Sequence, residues 1–431
     1  MSPSLFTAQF CALIAVVFHS SIEQWKFLLC QGYQTPMGNM FANWILLKSV
    51  SGDQKGVPRF MFLDDLGEKW QLDGHKSSVQ HVRAMIHKIV EEARHLIFDV
   101  LMFGIPKERF DVRVDDISDA PQINDVGYSF LTDYRNGFAA SPGLLFKLLW
   151  CSPNAALREH FATVSPDGRI VWKAAACRQF LHVAQEALKL LLVSCHLTHG
   201  QPSRGTEFLS TTFVNLANLA RSLRICDGQV VFALQINKTD SITGHTQVIP
   251  HFVCGALTEL VVYYLRVVRE VEQELAGVFC TPEAAEKYFT HLFTGPGGQW
   301  TSERFTSALQ DLTLKYLGPG RKFGLASVRQ FLIGIYYRHC NSPMRCEEFK
   351  DAEEQAMDEL GAFMAGHSVG QAHKGYAVEM QTHGEIPEIK WRGLRKVSCS
   401  GFLSIVENVD PRCLVCRKRT CFVGSRTQLF A

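Results

Sequence analysis

Net charge is scarce in this chain: 44 Lys and Arg oppose 42 Asp and Glu among 431 residues, a formal charge of +2 at pH 7. That balance excludes a protein that holds polyanions or anionic membranes by its overall charge, so any basic surface must be local. Regularly spaced cysteine is missing too. The 14 cysteines are scattered from Cys11 to Cys421, which argues against a small secreted disulfide scaffold and favours free thiols in a reducing, intracellular compartment. The apolar run from Cys11 to Phe18 has no Lys or Arg before it and is too short to cross a bilayer, so it reads as a core helix. No internal repeat or low-complexity block is evident.

What is present is a globular composition, 47% hydrophobic and 11% aromatic, in a chain long enough for two domains and a tail. From residue 1 to about 104 it reads mostly as helix, with a loop through Ser51–Pro58. The clearest element there runs over 77–103, where Val79, Val82, Ile86, Val90, Leu96 and Ile97 recur at helical intervals. His81, Arg83, His87, Lys88 and Arg94 lie on that helix, as phosphate contacts or as a solvated face. Residues 106–124 hold Glu108, Asp111, Asp115, Asp116 and Asp119 interleaved with Lys107, Arg109 and Arg113, the pattern of a solvated loop rather than a metal site.

Shorter helices are expected over 141–150 and 154–163. The turn signal Ser165-Pro166-Asp167-Gly168 then marks a candidate domain boundary. A helix over 174–197 puts Phe180, Val183, Ala187, Leu191 and Leu192 on its apolar side. After Asp227-Gly228, residues 230–236 read as a strand and 247–250 as its return. Helices follow over 255–278 and 301–317, the latter capped by Thr301 or Ser302 and stopped by Gly318-Pro319-Gly320. Leu325, Val328, Leu332 and Ile335 mark one more helix. Residues 341–354 read as a loop or insertion, and Met357, Leu360 and Met364 as a helix beyond it. The expected fold is mainly α with a small antiparallel β-sheet or hairpin, divided into an N-terminal helical domain (1–168), a second domain (169–380) and a basic, Cys-containing tail (381–431).

Several residues in this layout carry chemistry. Arg204, after Pro202 and before a short helix, is placed to face an anion with Glu207 three residues on to brace it; an ordinary surface pair fits as well. Lys238 sits at a hairpin tip, where a lysine either swings into a site or is merely wet. Arg329, beside a buried stripe, needs an anion or snorkels to water. Gly366-His367 is followed nine residues later by Tyr376. A tyrosine phenol titrates near pH 10, so as a nucleophile it requires cations around the phosphate it attacks. The alternative for this stretch is a glycine-ended helix with a packed tyrosine. The tail holds nine Lys and Arg against four acids, fit for DNA, a partner or solvent. Its Cys413, Cys416 and Cys421 suggest a zinc knuckle only if Cys399 or another residue supplies a fourth ligand.

Taken in order, Arg204, Lys238, Arg329, Gly366-His367 and Tyr376 resemble the active-site series of the tyrosine recombinases, or phage-integrase-type recombinases, and in texture the fungal Crypton-type transposon recombinases. The resemblance covers 174–379. It implies an N-terminal core-binding-like helical clamp, a catalytic domain, double-stranded DNA as partner, homo-oligomers assembled on DNA, no membrane, no cofactor or metal, and work in the nucleus. It also implies Tyr376 as nucleophile, Arg204, Arg329 and His367 on the phosphate, and Lys238 as the acid for the leaving 5′ oxygen. One departure stands out. The family's second arginine usually belongs to a His-x-x-Arg box, and here the matching residues are Ala326-Ser327-Val328-Arg329. A catalytically silent DNA-binding domain of the same fold is therefore the main alternative, and a helical protein-interaction scaffold the third.

Overall fold

A computed structural model describes residues 59–236, 247–336 and 338 of the chain. All of them belong to the unit that begins at Arg59. It opens on a three-stranded antiparallel sheet, β1 (Phe60–Phe62), β2 (Lys69–Leu72) and β3 (His75–Ser78). This is a correction to the helical reading of the segment. The turn between β2 and β3 is Asp73-Gly74, with φ of +49° and +82°, the dipeptide that closes a two-residue hairpin. Trp70 and Leu72 alternate inward from β2 and are buried.

Ser78 ends the sheet and caps the next helix, its hydroxyl accepting from the His81 amide. That helix, α1 (Val79–Arg94), continues through a π-helical stretch over His95–Leu101. Its apolar stripe of Val79, Val82, Ile86, Ile89 and Val90 is buried, as the helical spacing leads one to expect. The carboxylate-rich residues 106–124 then cross the surface as a strap with short 3-10 turns. The strap is not wholly solvated. Asp119 is buried and ion-paired with the equally buried Arg221, and its second oxygen accepts the Ile225 amide at 2.9 Å.

Helices α2 (Leu144–Trp150) and α3 (Ala155–Arg158) follow, and then the hairpin β4 (Ala162–Val164) and β5 (Ile170–Trp172). The helix expected over 154–163 is thus cut to four residues. Ser165-Pro166-Asp167-Gly168 is the tip of that hairpin, with Gly168 at φ +82°. Helix α4 (Ala174–Thr198) runs through the centre; its last turns are buried on every side. Among the described residues it is the one helix long and apolar enough to cross a membrane, and most of that apolar window is enclosed by protein.

Beyond α4 lie the short helix α5 (Gly205–Leu209) and a second three-stranded antiparallel sheet, β6 (Leu223–Cys226), β7 (Gln229–Ile236) and β8 (Gln247–Phe252), in that spatial order. Asp227-Gly228 turns β6 into β7 as Asp73-Gly74 turns β2 into β3, with φ of +50° and +68°. The chain then forms α6 (Gly255–Tyr263), a π-helical turn at Tyr264–Val268, and α7 (Arg269–Phe279), one continuous rod where a single helix is expected. Helix α8 (Pro282–Thr290), the small hairpin β9 (Thr294–Gly295) and β10 (Gly298–Gln299), α9 (Ser302–Leu317) and α10 (Leu325–Ile335) complete the described part. The Thr301 hydroxyl caps α9, accepting the Arg304 amide, and Gly318 ends it at φ +97°. One hydrophobic cluster extends from Trp70 to Ile335, so the protein is mainly helical with small antiparallel sheets. The six described cysteines are free thiols.

Candidate phosphate-binding site

The site is built where α4 stops. His199 caps α4 at its C-terminus, Gly200 turns the chain at φ +97°, and Pro202 and buried Ser203 lead to Arg204, the N-cap of α5. Glu207 reaches back from the first turn of α5. One of its oxygens accepts the Arg204 backbone amide at 3.2 Å, and the other accepts Arg204 Nη1 at 2.9 Å. The bracing expected from the Arg-x-x-Glu spacing is therefore present, and it leaves the remaining guanidinium donors to be aimed elsewhere.

The first turn of α10 lies against α5. A Cβ placed on Gly205 would sit 2.7 Å from Leu325 Cδ1, so the bare glycine permits this close approach. Arg329 stands one turn further along α10, partly buried. Burial pulls its pKa below the usual arginine value, the Arg204 charge beside it pulls the same way, and Glu207 opposes them. The two arginines that the sequence places far apart thus share one environment. Two cations so placed repel each other in a partly desolvated spot, and an anion between them relieves both costs. Ala326, one turn before Arg329 on the same helix face, is exposed and supplies no polar group.

Beside Arg204 opens a cavity of about 450 Å³, lined among others by Thr206, Glu207, Ser210, Leu234 and Gln235. Leu234 and Gln235 are near the end of β7, and the connection from β7 to β8 carries Lys238. Lys238 itself lies outside the described residues, as do His367 and Tyr376, and so do Cys413, Cys416 and Cys421. Among the described residues no cluster of three or more His, Cys, Asp or Glu has the arrangement of a metal site.

Behind the arginines lies a group that the sequence reading missed. His196 and His199 at the end of α4, and His251 on β8, are all buried. Their ring centroids lie 5.3 Å apart for His196 and His199, and 4.4 Å for His199 and His251. Burial pushes His196 down to about 3, helped by His251 and Arg329, and burial pushes His251 to about 3. His199 is held well below the ordinary value by burial and by both other imidazoles. The three are neutral at neutral pH. His199 Nε2 and Ser203 Oγ share a hydrogen bond of 3.3 Å, which ties the residue preceding Arg204 to the end of α4. Two histidines one turn apart at the end of an apolar helix were the available signal.

Neither protein-family models, curated proteins nor solved structures gave a match to this chain.

Proposed function

We propose that this protein cuts and rejoins DNA strands through a covalent 3′-phosphotyrosine intermediate, in the manner of tyrosine recombinases. The observation that carries the reading is that Arg204 lines a cavity flanked by β7, while the next residue, Gly205, packs on Leu325 of α10, the helix that carries Arg329, whose charge Arg204 influences. In this reading the two guanidiniums hold the non-bridging oxygens of one phosphate, and His367 adds a third hydrogen bond. Tyr376 forms the new bond to phosphorus as its phenolic proton passes to a base. The bond to the 5′ oxygen breaks, and Lys238 gives that oxygen its proton. Attack by a second 5′ hydroxyl reverses the steps and joins a new strand. The link conserves the phosphodiester energy, so the chemistry calls for neither nucleotide triphosphate nor metal.

The same reading assigns 169–380 to the part of the chain that carries the catalysis. It also places several protomers on paired DNA sites in the nucleus, as in integration of a Crypton-type element. Nicked suicide duplexes test it. A protein–DNA adduct that Tyr376→Phe abolishes is expected; if no duplex or assembly condition yields one, strand transfer is excluded. Exposed Ala326, in the position of the family's box histidine, favours a second reading, a DNA-binding domain that kept the phosphate clamp and lost cleavage. Salt-sensitive duplex binding that Tyr376→Phe leaves unchanged, with no adduct, would select it.

A further inference from the structure

The charge that the whole chain lacks is concentrated beside α10. Arg59 Nε donates to Asp73 Oδ1 at 2.6 Å and its Nη2 to Ser327 Oγ at 3.0 Å, while the Ser327 hydroxyl donates to Asp73 Oδ2 at 2.6 Å. These bonds fasten the β2–β3 turn to the first turn of α10, one residue from Ala326. Aromatic contacts back them: Trp70 lies 5.0 Å from Phe331 and 6.1 Å from Phe323, ring centre to ring centre. Further along, the loop between α9 and α10 docks on β3. Arg321 Nη2 and Nε donate to the Lys76 carbonyl at 3.0 and 3.3 Å, and a Cβ on Gly320 would meet the His75 ring at 3.0 Å.

The result is a cluster of basic side chains beside α10. Arg59, His75, Lys76 and Lys322 are exposed and Arg321 is partly so. Four of the five are Lys or Arg, and Asp73 pairs with one of them, Arg59. Ser327, which holds Arg59 and Asp73, lies two residues before Arg329 on α10, and Leu325 on the same helix packs against Gly205, next to Arg204. A polyanion with spaced charges matches such a cluster better than a compact anion does, because Lys76 and Lys322 can each take a phosphate while Arg59 and Arg321 add charge from side chains held by Asp73 and by the Lys76 and Leu317 carbonyls.

We propose that the edge formed by the β2–β3 turn and the Gly318–Gly324 loop is a binding surface for the backbone of duplex DNA, extending the Arg204–Arg329 site along the phosphates that flank it. The proposal rests on the strand-transfer reading for the identity of the polyanion, but not on cleavage. Lys76 and Lys322 are the residues to change, since the Lys76 contact to Arg321 uses the backbone carbonyl and survives substitution.

The full-length protein carrying Lys76→Gln and Lys322→Gln is titrated with a 40-base-pair duplex of arbitrary sequence over a range of salt. Two lost phosphate contacts should lower the slope of log affinity against log salt by about 2, and weaken binding roughly 10- to 100-fold near 0.1 M salt. Lys76→Arg with Lys322→Arg should keep the wild-type slope. Lys147→Gln, on α2, should keep it as well. An unchanged slope in the glutamine variant overturns the surface. So does wild-type binding that ignores salt, or polyglutamate competing as well as duplex at equal charge. Adduct formation is read separately: an adduct with an unchanged slope removes the surface and leaves strand transfer, and a lowered slope without any adduct does the reverse.

Discussion

Burial of three imidazoles behind two arginines makes this protein sensitive to acid. An exposed histidine of the unfolded chain titrates near 6.5, whereas His196 and His251 are pushed down to about 3. Between those values the unfolded chain binds protons that the folded one refuses, so stability is full above about 6.5 and falls as pH drops toward 3. Each histidine contributes a slope of about 1.4 kcal/mol per pH unit in that window. Urea unfolding between pH 7 and 5 should show the fall, and His251→Gln should flatten it; an identical slope in the variant would show that the cluster does not titrate this way. At the same scale, Glu207 bracing Arg204 was legible from a three-residue interval. The buried pair of Asp119 and Arg221 was not, because an aspartate in a polar strap looks the same in sequence whether its partner is water or an arginine about a hundred residues on.

Two Asp-Gly dipeptides, each between two strands, decide how the two larger sheets fold. Asp73-Gly74 matters more for the site, because its aspartate holds Ser327 on α10. Gly74 has φ +82° with nothing within 4 Å of an added Cβ, so Gly74→Ala meets backbone strain and no clash. A loss of about 1–2 kcal/mol is expected, measured as a lowered urea midpoint with unchanged helical circular dichroism. A neutral effect would mean that the turn does not need the left-handed conformation. Long apolar periodicities made α1, α4, α6–α7, α9 and α10 readable. The strands of 60–78 were misread because each is only three or four residues long, too short for alternation to stand out from helical spacing.

The described residues are organised around α4, which packs against α1, α6, α7 and α9 in one core. The Ser165–Gly168 turn is a hairpin tip on that body, and Cys177, Leu181, Leu188 and Leu192 on α4 are buried. A fragment starting at residue 169 would leave the α1 side of this helix uncovered, an exposed apolar face of the kind that drives association. Such a fragment is expected to aggregate, or to bind a hydrophobic dye far more strongly than the full chain, in light scattering and fluorescence; a monomeric fragment with native-like near-ultraviolet dichroism would show that it folds alone.

By itself the sequence determined what depends on near neighbours: the helical rods, the β7–β8 pairing, the Thr301 cap, and the order of Arg204, Lys238, Arg329, His367 and Tyr376. Periodicity and capping act over a few residues, so they can be read in a line. Only the tertiary structure decided that Arg204 lies beside the helix carrying Arg329, that three neutral histidines cluster at the end of α4, and that a small sheet fastens α10 beside a group of basic side chains. Those contacts join segments far apart in the chain, and they follow from how apolar faces pack rather than from any local pattern.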